Sequence, residues 1–333
     1  MLKLKRTQII AAVMLSMGLI LSACGGSGDS GSDKQKIAAI FSGPTTDADY
    51  NGLGLLALQD LEKNGAEIAY SESVPVPDIE RVLREYVADG YNIIWTHGSQ
   101  FYEATAKVAK ENPDVNFVGE FDGEPEGQPD NVWVIDRNFH TVFYPIGTLA
   151  ANLTKTGKVG YLGGLSLPFS FSEVHSVRQA LADSGKGTAL QAVWTGDFND
   201  TVKAQQLATE LLNKDNDVII TSLNLGVIGA FKAVTKKPAG EAWLTVKYTD
   251  KSKNGKGHYA GTALYDFVGP MNEIVDKIAD GESKGYFVIT FGSGASVEVG
   301  DDVPAEVKDA VQASVDGILD GSIKVKLDQS ETK

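Results

Sequence analysis

Short apolar runs and helical patterns alternate along most of the chain. The run KIAAIFS, from Lys36 to Ser42, ends before a Gly-Pro pair, as is typical of a buried parallel strand. The next segment, GLGLLALQDLEKNG, has a helical pattern that stops at Gly65. In the segment that ends at Gly90, apolar residues again lie on one helical face. Because such units repeat, the pattern predicts a parallel sheet with right-handed crossover connections.

The rhythm of strands and helices starts again near residue 139, although the sequence itself does not repeat. Two similar α/β lobes are the simplest account. We assign residues 36–138 plus 263–289 to the first lobe and residues 139–262 plus 290–329 to the second. The chain then crosses between the lobes more than once. Several crossing segments make a hinge, and a hinge between two lobes makes a cleft.

The N-terminus has the layout of a secretion signal. The basic stretch MLKLKR precedes an apolar run from Ile9 to Leu21, which is short for a membrane span. The run leads into LSAC, where Cys24 is the only cysteine of the chain and follows small residues as in a bacterial lipobox. We predict a signal peptide over residues 1–23, lipidation of Cys24 and a flexible tether over residues 24–35. An ordinary signal peptide with an unrelated cysteine is the alternative.

Length and charge narrow the class of protein. The 333 residues exceed what one core usually holds, which agrees with two lobes. The formal net charge of −14 argues against nucleic acid as a partner, since nucleic-acid binding needs a basic surface. A lipidated Cys24 leaves no thiol for a disulfide, a metal or catalysis. The sequence thus predicts a membrane-anchored lipoprotein on the extracytoplasmic face, periplasmic or external.

Aromatic and hydrogen-bonding side chains follow the predicted strands. Ligands of open parallel sheets bind beyond the carboxyl ends of the strands, so these loops are candidate binding elements. A flat heteroaromatic ring can stack on Tyr or Phe, for about 1–3 kcal/mol per stack by analogy with nucleic-acid bases. We therefore predict ligand contacts in the loops after these strands, from Tyr50, Asn51, His97, Ser99, Phe169, Phe198 and Asp250.

Other chemistries are poorly supported. Asp47, Asp49 and Asn51 are spaced as in the start of an EF-hand loop, but the twelfth position is Leu58 where a bidentate Glu is needed. The histidines have no metal-ligand spacing, the glycine-rich segments YLGGLSLP and FGSGASVEVG give neither GxGxxG nor a P-loop, and no GxSxG motif is present. The sequence predicts a binding protein without metal or cofactor, rather than an enzyme. An extracytoplasmic enzyme that processes nucleosides with Asp residues is kept as an alternative.

Four segments together resemble a known family. The family is the basic membrane protein family of substrate-binding lipoproteins, which serve ABC importers and include purine nucleoside receptors, and the segments similar to it are DADYN, ATAKVAKENPDVNFV, TGKVGYLGGLSLP and VWTGDFND. The resemblance extends from about Lys36 to Val311. It implies a two-lobed type I periplasmic-binding fold with the ligand cleft at the hinge, an ABC permease as partner, and a protein that acts as a monomer.

The resemblance also implies roles for individual residues. The ligand ring is expected between Tyr50 and Phe198, with hydrogen bonds from Asp47 and Asn51 of the first lobe. Asp250 stands where nucleoside binders of the family have an acid that meets the sugar.

One segment departs from the nucleoside binders. They tend to carry a lysine where this chain has Tyr265, with Asp266 beside it as a further candidate ligand contact. The segment LYDFVGP instead resembles a branch that takes free nucleobases. The sequence therefore favours a purine nucleobase or related heterocycle as the ligand, with a purine nucleoside as the alternative. It does not separate an importer's receptor from a sensor.

Overall fold

The computed structural model describes residues 35–47 and 49–332. The predicted signal peptide and Cys24 lie outside these residues, as does the predicted tether up to residue 34. The described strands are β1 (Lys36–Phe41), β2 (Glu67–Ser71), β3 (Ile93–His97), β4 (Asn116–Phe121), β5 (Val132–Asp136), β6 (Lys158–Gly163), β7 (Ala189–Trp194), β8 (Val218–Ser222), β9 (Trp243–Tyr248), β10 (Tyr259–Tyr265), β11 (Gly285–Val288), β12 (Thr290–Phe291) and β13 (Gly294–Val299).

The α-helices lie between these strands and at the end of the chain. Within the described residues, none of them combines the length and the apolar character that crossing a bilayer requires. The helices are α1 (Tyr50–Lys63), α2 (Ile79–Ala88), α3 (Tyr102–Glu111), α4 (Phe139–Leu153), α5 (Pro168–Asp183), α6 (Thr201–Asn213), α7 (Val227–Val234), α8 (Val268–Ala279) and α9 (Ala305–Leu319).

The first sheet is parallel throughout, with the strand order β11-β5-β4-β3-β1-β2. Its interior strand β1, between β3 and β2, is apolar on both faces because helices cover both. Ile37 and Phe41 pack into the core on one side, whereas Ala38 and Ile40 pack on the side of α2 and α3. This two-sided burial explains why β1 reads as an unbroken apolar run rather than as an alternating pattern.

The second sheet has the order β12-β13-β10-β9-β8-β6-β7 and is parallel except where β13 runs antiparallel to β10. Helices α4, α5 and α9 cover one face, and α6 and α7 cover the other. The prediction of two α/β lobes, each with a largely parallel sheet between helices, is confirmed.

One lobe boundary differs from the sequence prediction. We assigned residues 263–265 to the first lobe, but they belong to β10, which pairs with β9 and β13 in the second sheet. The following helix α8 does pack on α1 in the first lobe, as expected. A short apolar strand fits either sheet equally well, so its sequence pattern does not decide its partner. In the described chain, the connections between the lobes fall at residues 137–138, 266–267 and 289.

Candidate ligand-binding cleft

Side chains from both lobes meet where the parallel strands end. Tyr50, the first residue of α1, lies with its ring centroid 5.0 Å from that of Tyr248, the last residue of β9. Phe139, at the start of α4, follows the first connection between the lobes and lies 6.3 Å from Tyr248. The cleft predicted at the hinge therefore lies among aromatic side chains, as strand ends in open α/β sheets lead one to expect.

Five rings form what we call the aromatic cluster: Tyr50, Phe139, Phe169, Tyr248 and Tyr265. Phe139 lies at its centre, with ring centroids 5.4 Å from Phe169 and 5.2 Å from Tyr265. All five side chains are buried, with at most 6% of their surface exposed. Both lobes contribute, so closing or opening the cleft changes the packing of these rings.

Lys247 of β9 places a positive charge against this cluster. Its ammonium lies 3.1 Å from the ring centroid of Phe139 and donates a hydrogen bond of 2.5 Å to Glu173 of α5. Burial lowers the pKa of Lys247 to about 8, and the nearby carboxylate of Glu173 opposes that fall. At neutral pH the side chain is therefore largely a cation, held by one carboxylate and by the aromatic faces.

Arg137 places a second cation against the same rings. Its guanidinium carbon lies 4.4 Å from the ring centroid of Phe139 and 5.0 Å from that of Phe169. Its Nη2 group donates to the carboxylate of Asp122 and, at 2.8 Å, to Ser99 Oγ. Burial raises the pKa of Asp122 to about 6, and the charge of Arg137 opposes this rise. Ser99, predicted as a ligand contact, thus holds a buried arginine in this conformation.

His97 supports Tyr50 from below. The two rings stack with centroids 3.9 Å apart, and the His97 ring bonds through Nε2 to the backbone oxygen of Tyr50 at 2.8 Å. Glu120 joins them, because it bonds to His97 Nδ1 and accepts a hydrogen bond from the Tyr50 hydroxyl. Burial alone would raise the pKa of Glu120, but His97, Arg137 and these hydrogen bonds hold it below its usual value. His97 is fully buried and positions Tyr50.

Asp47 and Asn51 shape the loop that precedes α1. The Asp47 carboxylate accepts hydrogen bonds from the backbone N–H groups of Asp49, Asn51 and Gly52 and from Asn51 Nδ2. Asn51 Oδ1 accepts from the backbone N–H of Gly43 at 3.2 Å. These bonds hold Tyr50 in place as the first residue of α1. Direct contact of Asp47 and Asn51 with a ligand stays a prediction.

Phe198 lies farther from Tyr50 than the sequence suggested. Its ring is nearly parallel to that of Phe169, with centroids 6.1 Å apart, whereas Tyr50 stacks on His97 and meets Tyr248. Phe139 and Tyr248 link the two aromatic groups. A ring held directly between Tyr50 and Phe198 therefore stays a prediction for the ligand-bound form.

Asp250 and Asp266 lie at one side of the aromatic cluster. Asp250 accepts hydrogen bonds from Ser252, and Asp266 accepts from the first backbone N–H groups of α8. Both carboxylates line a cavity of about 560 Å³ whose wall also contains Tyr248 and Tyr265. The structure thus separates these two exposed acids from the buried polar groups around Phe139.

Several residues of the cleft were missed by sequence reasoning: Asp122, Arg137, Glu173, Lys247 and Lys251. A usable signal was present for Lys247, because a charged residue inside the otherwise apolar strand WLTVKY demands a buried partner. Arg137 carries a similar signal at the end of the run VWVIDR. Neither signal names the partner, since Asp122 and Glu173 lie far away in sequence. Among the described residues, no group of three or more metal-ligating side chains occurs.

The comparisons with known proteins decide the family. The Bmp family, described as ABC transporter substrate-binding proteins of the PnrA-like kind, matches residues 34–319. The chain belongs to the Bmp family. Its similarity to the ABC transporter nucleoside-binding protein BmpA of Lactococcus lactis subsp. cremoris (strain MG1363) is 26% identity, covering 96% of this chain and 99% of that protein. The resemblance found in the sequence motifs is thereby confirmed.

Solved structures give the same picture of the fold. An ABC transporter solute-binding protein from Conexibacter woesei DSM 14684 matches with a TM-score of 0.69 and 26% identity, covering 88% of this chain and 98% of that one. A solute-binding protein from Aeropyrum pernix K1 matches with a TM-score of 0.76, 17% identity and coverages of 89% and 94%. The predicted type I periplasmic-binding fold is confirmed, and this Bmp family member is an ABC transporter substrate-binding protein.

Proposed function

We propose that this Bmp family protein is the lipid-anchored receptor of an ABC importer and binds a purine nucleobase or related heterocycle between its lobes. The main support is the aromatic cluster and the polar side chains beside it, which include buried polar atoms that have no hydrogen-bond partner among the described residues. These atoms are Asp122 Oδ1, Arg137 Nε and the Tyr265 hydroxyl. A buried polar atom left without a partner costs about 1–3 kcal/mol, which hydrogen bonds from a polar ligand would recover.

The balance of charge favours a neutral ligand. Both cations that pack on the aromatic cluster face a carboxylate: Lys247 pairs with Glu173, and Arg137 pairs with Asp122. An anion would lack a free cation, and a cationic ligand would meet two cations already packed on the aromatic faces. A neutral, flat ring adds no net charge and presents both an aromatic face and polar edges. Nucleobases have this combination.

Binding requires movement of the lobes. In the described conformation Lys247 and Arg137 cover the rings of Phe139 and Phe169. We expect a ligand to enter while the lobes are apart and to pack on the part of the aromatic surface beside these cations. Stacking and buried hydrogen bonds then favour the closed form, which the ligand selects from the population.

A purine nucleoside is the second candidate, and one observation favours it. The cavity of about 560 Å³ adjoins Tyr248 and Tyr265 of the aromatic cluster and exposes the carboxylates of Asp250 and Asp266. A sugar attached to a stacked base has room there, and carboxylates accept hydrogen bonds from sugar hydroxyls. The nucleoside-binding name of the Lactococcus relative agrees with this class of ligand.

The location of the protein follows from the N-terminal pattern. With residues 1–23 removed and Cys24 lipidated, residues 24–35 would tether the lobes to the outer side of the cytoplasmic membrane. A receptor in that position can present its ligand to an ABC permease. Metabolic labelling with a radioactive fatty acid tests the anchor, with Cys24→Ser as the control that should stay unlabelled.

Mass spectrometry of the small molecule that co-purifies is the direct test of the ligand. A thermal-shift panel of nucleobases, nucleosides, riboflavin and sugars complements it. At one hundred times its dissociation constant, a ligand of the native state should stabilise the protein by about 2.7 kcal/mol. Stabilisation by sugars alone would refute the proposal. Incubation with inosine tests the enzymatic alternative, since release of free base would mean catalysis rather than binding.

A further inference from the structure

Lys247 has hydrogen-bonding capacity that the protein uses only in part. Its ammonium carries three N–H groups. One donates to Glu173 at 2.5 Å, and a second reaches Ser222 Oγ only at 3.5 Å. The ammonium also lies against the face of Phe139, where the cluster would receive a flat ligand. A ligand with a neutral acceptor atom could therefore gain a charge-assisted hydrogen bond from Lys247 without breaking the pair with Glu173.

Asp122 offers the complementary group. Its Oδ2 atom accepts from Arg137, while Oδ1 is buried and has no hydrogen-bond partner in the part of the chain that the structure describes. Burial raises the pKa of Asp122 to about 6, so the carboxylate is still mostly ionised at neutral pH. An ionised carboxylate only accepts hydrogen bonds. Asp122 Oδ1 therefore calls for an N–H or O–H group on whatever enters the cleft.

Lys247 and the arginine that binds Asp122 pack on the same aromatic ring. Lys247 Nζ is 5.3 Å from the ring centroid of Phe169, and the guanidinium carbon of Arg137, the partner of Asp122, is 5.0 Å from the same centroid. Asp122 and Phe169 also line one cavity, of about 170 Å³. A ligand on these rings thus meets a donor from the second lobe and an acceptor from the first.

We infer that the cleft recognises a cyclic amide edge, in which a ring carbonyl accepts from Lys247 Nζ and the neighbouring ring N–H donates to Asp122 Oδ1. Oxo-substituted heterocycles such as 6-oxopurines carry this edge. The inference rests on the proposed function and narrows it, since it makes Lys247 and Asp122 determinants of specificity. It also explains why two costly buried ionic groups face the aromatic cluster, where apolar residues would pack at lower cost.

Three ligands separate the parts of this edge in calorimetric titrations. Hypoxanthine has the carbonyl and the N–H, 1-methylhypoxanthine lacks only the N–H, and 6-mercaptopurine, as its thione tautomer, keeps the N–H but has sulfur, a weak hydrogen-bond acceptor, in place of the carbonyl oxygen. On protein freed of endogenous ligand, we expect hypoxanthine to bind at least about tenfold more tightly than either analogue, as for a hydrogen bond to a charged group. Equal binding of all three would overturn the inference and leave the proposed function standing. Failure of all heterocycles to bind would overturn the proposed function itself.

Two variants test whether Lys247 and Asp122 are the residues that recognise the carbonyl and the N–H of the ligand. Lys247→Met combined with Glu173→Gln removes the ammonium without leaving a buried carboxylate that lacks a cation. The Tyr161 hydroxyl, which donates to Glu173 at 2.5 Å, can still donate to the glutamine. We expect the preference for hypoxanthine over 6-mercaptopurine to fall to within about threefold, because the hydrogen bond from the Lys247 ammonium to the carbonyl oxygen accounts for that preference. In the Asp122→Asn variant, the side-chain oxygen has to face Arg137, so the amide N–H group faces the ligand in place of an acceptor. It should weaken hypoxanthine but not 1-methylhypoxanthine.

Each variant is judged by the ratio of its affinities for two ligands. A loss of stability lowers both affinities and leaves this ratio unchanged. Lys158→Met is the matched control, because Lys158 forms an exposed pair with Asp215 in the second lobe. It should keep the native preference. An unchanged preference for hypoxanthine in the Lys247→Met, Glu173→Gln protein would remove Lys247 from the recognition of the ligand.

Discussion

The ammonium of Lys251 in the second lobe lies 2.9 Å from Oδ1 of Asp49 in the first lobe. Only 2% of the Asp49 side chain and 11% of the Lys251 side chain are exposed. Lys251 also donates to the backbone oxygen of Lys247, at 2.8 Å. Asp49 thus connects the loop before Tyr50 with the end of β9, on the side of the cleft where the rings of Tyr50 and Tyr248 meet.

Asp49 should make the stability of this arrangement depend on pH. Burial raises its pKa from 3.8 to about 7, and Lys251 opposes the rise. Between pH 4 and 7 the folded protein therefore holds a proton that the unfolded chain has lost. The contribution of this proton to the free energy of unfolding is fully present below pH 4 and is lost as the pH rises to 7.

Urea unfolding of the native protein and of Asp49→Asn measures this contribution. The stability of the native protein relative to the variant should fall between pH 4 and pH 7, by on the order of 1–4 kcal/mol. The stability of the variant is subtracted at each pH because Glu120, whose pKa is lowered, makes stability change with pH in the opposite direction in both proteins. A flat difference curve would mean that Asp49 titrates as an exposed group.

Tyr50 should contribute to binding through its ring rather than its hydroxyl. The hydroxyl is already bonded to Glu120. Tyr50→Phe keeps the stack on His97 and is expected to bind nucleobases within a few-fold of native. Tyr50→Leu removes the aromatic face and should lose about 1–3 kcal/mol of binding, measured by calorimetry. Native affinity in the leucine variant would remove Tyr50 from the site.

The hydroxyl of Tyr265 offers a test with a matched control. Tyr265 and Tyr102 are both buried, and neither hydroxyl has a hydrogen-bond partner among the described residues. Tyr265 belongs to the aromatic cluster, whereas Tyr102, the first residue of α3, packs against Gly119 of β4. Phe at either position should keep or raise the stability of the unliganded protein, by up to about 1–3 kcal/mol.

Only the Tyr265→Phe variant should lose ligand affinity, because only that hydroxyl lies in the cleft. Thermal unfolding and calorimetry on the two variants give both quantities. Equal affinities in the two variants would show that the Tyr265 hydroxyl makes no bond to the ligand.

The fold could be predicted from the sequence because buried strands and amphipathic helices leave local patterns. The run KIAAIFS is apolar on both faces, and β1 has helices on both sides. The partner of β10 could not be predicted, since its apolar residues suit either sheet. The place of a strand within a sheet depends on packing against segments that are distant in sequence, and a local sequence pattern does not record that packing.

The candidate site was predictable in its location but not in its chemistry. Tyr50 and Phe169 were found because they follow strands, and both lie in the aromatic cluster. Asp47 and Asn51 were assigned to a ligand, yet their polar atoms bond each other and the loop backbone. Such local bonds depend on loop geometry, which residue types do not reveal. Lys247 was overlooked because its partner, Glu173, is distant in sequence.

The C-terminal segment, residues 324–332, contacts both lobes and should slow the release of ligand. Gln179 and His175 of α5 bond to its backbone at Lys324 and Ser330. Gln329 Nε2 reaches across to the backbone oxygen of Asp122 in the first lobe, at 2.8 Å. The segment therefore has to shift when the lobes separate at this edge.

Ending the chain after Ile323 is expected to raise the dissociation rate of a bound nucleobase several-fold. The stability of the lobes should change little, because most of the segment is exposed and lies outside the core clusters. Stopped-flow displacement measures the rate, and Gln329→Ala isolates the single bond to the first lobe. Unchanged dissociation in the shortened protein, with native affinity, would mean that opening of the cleft does not involve this edge.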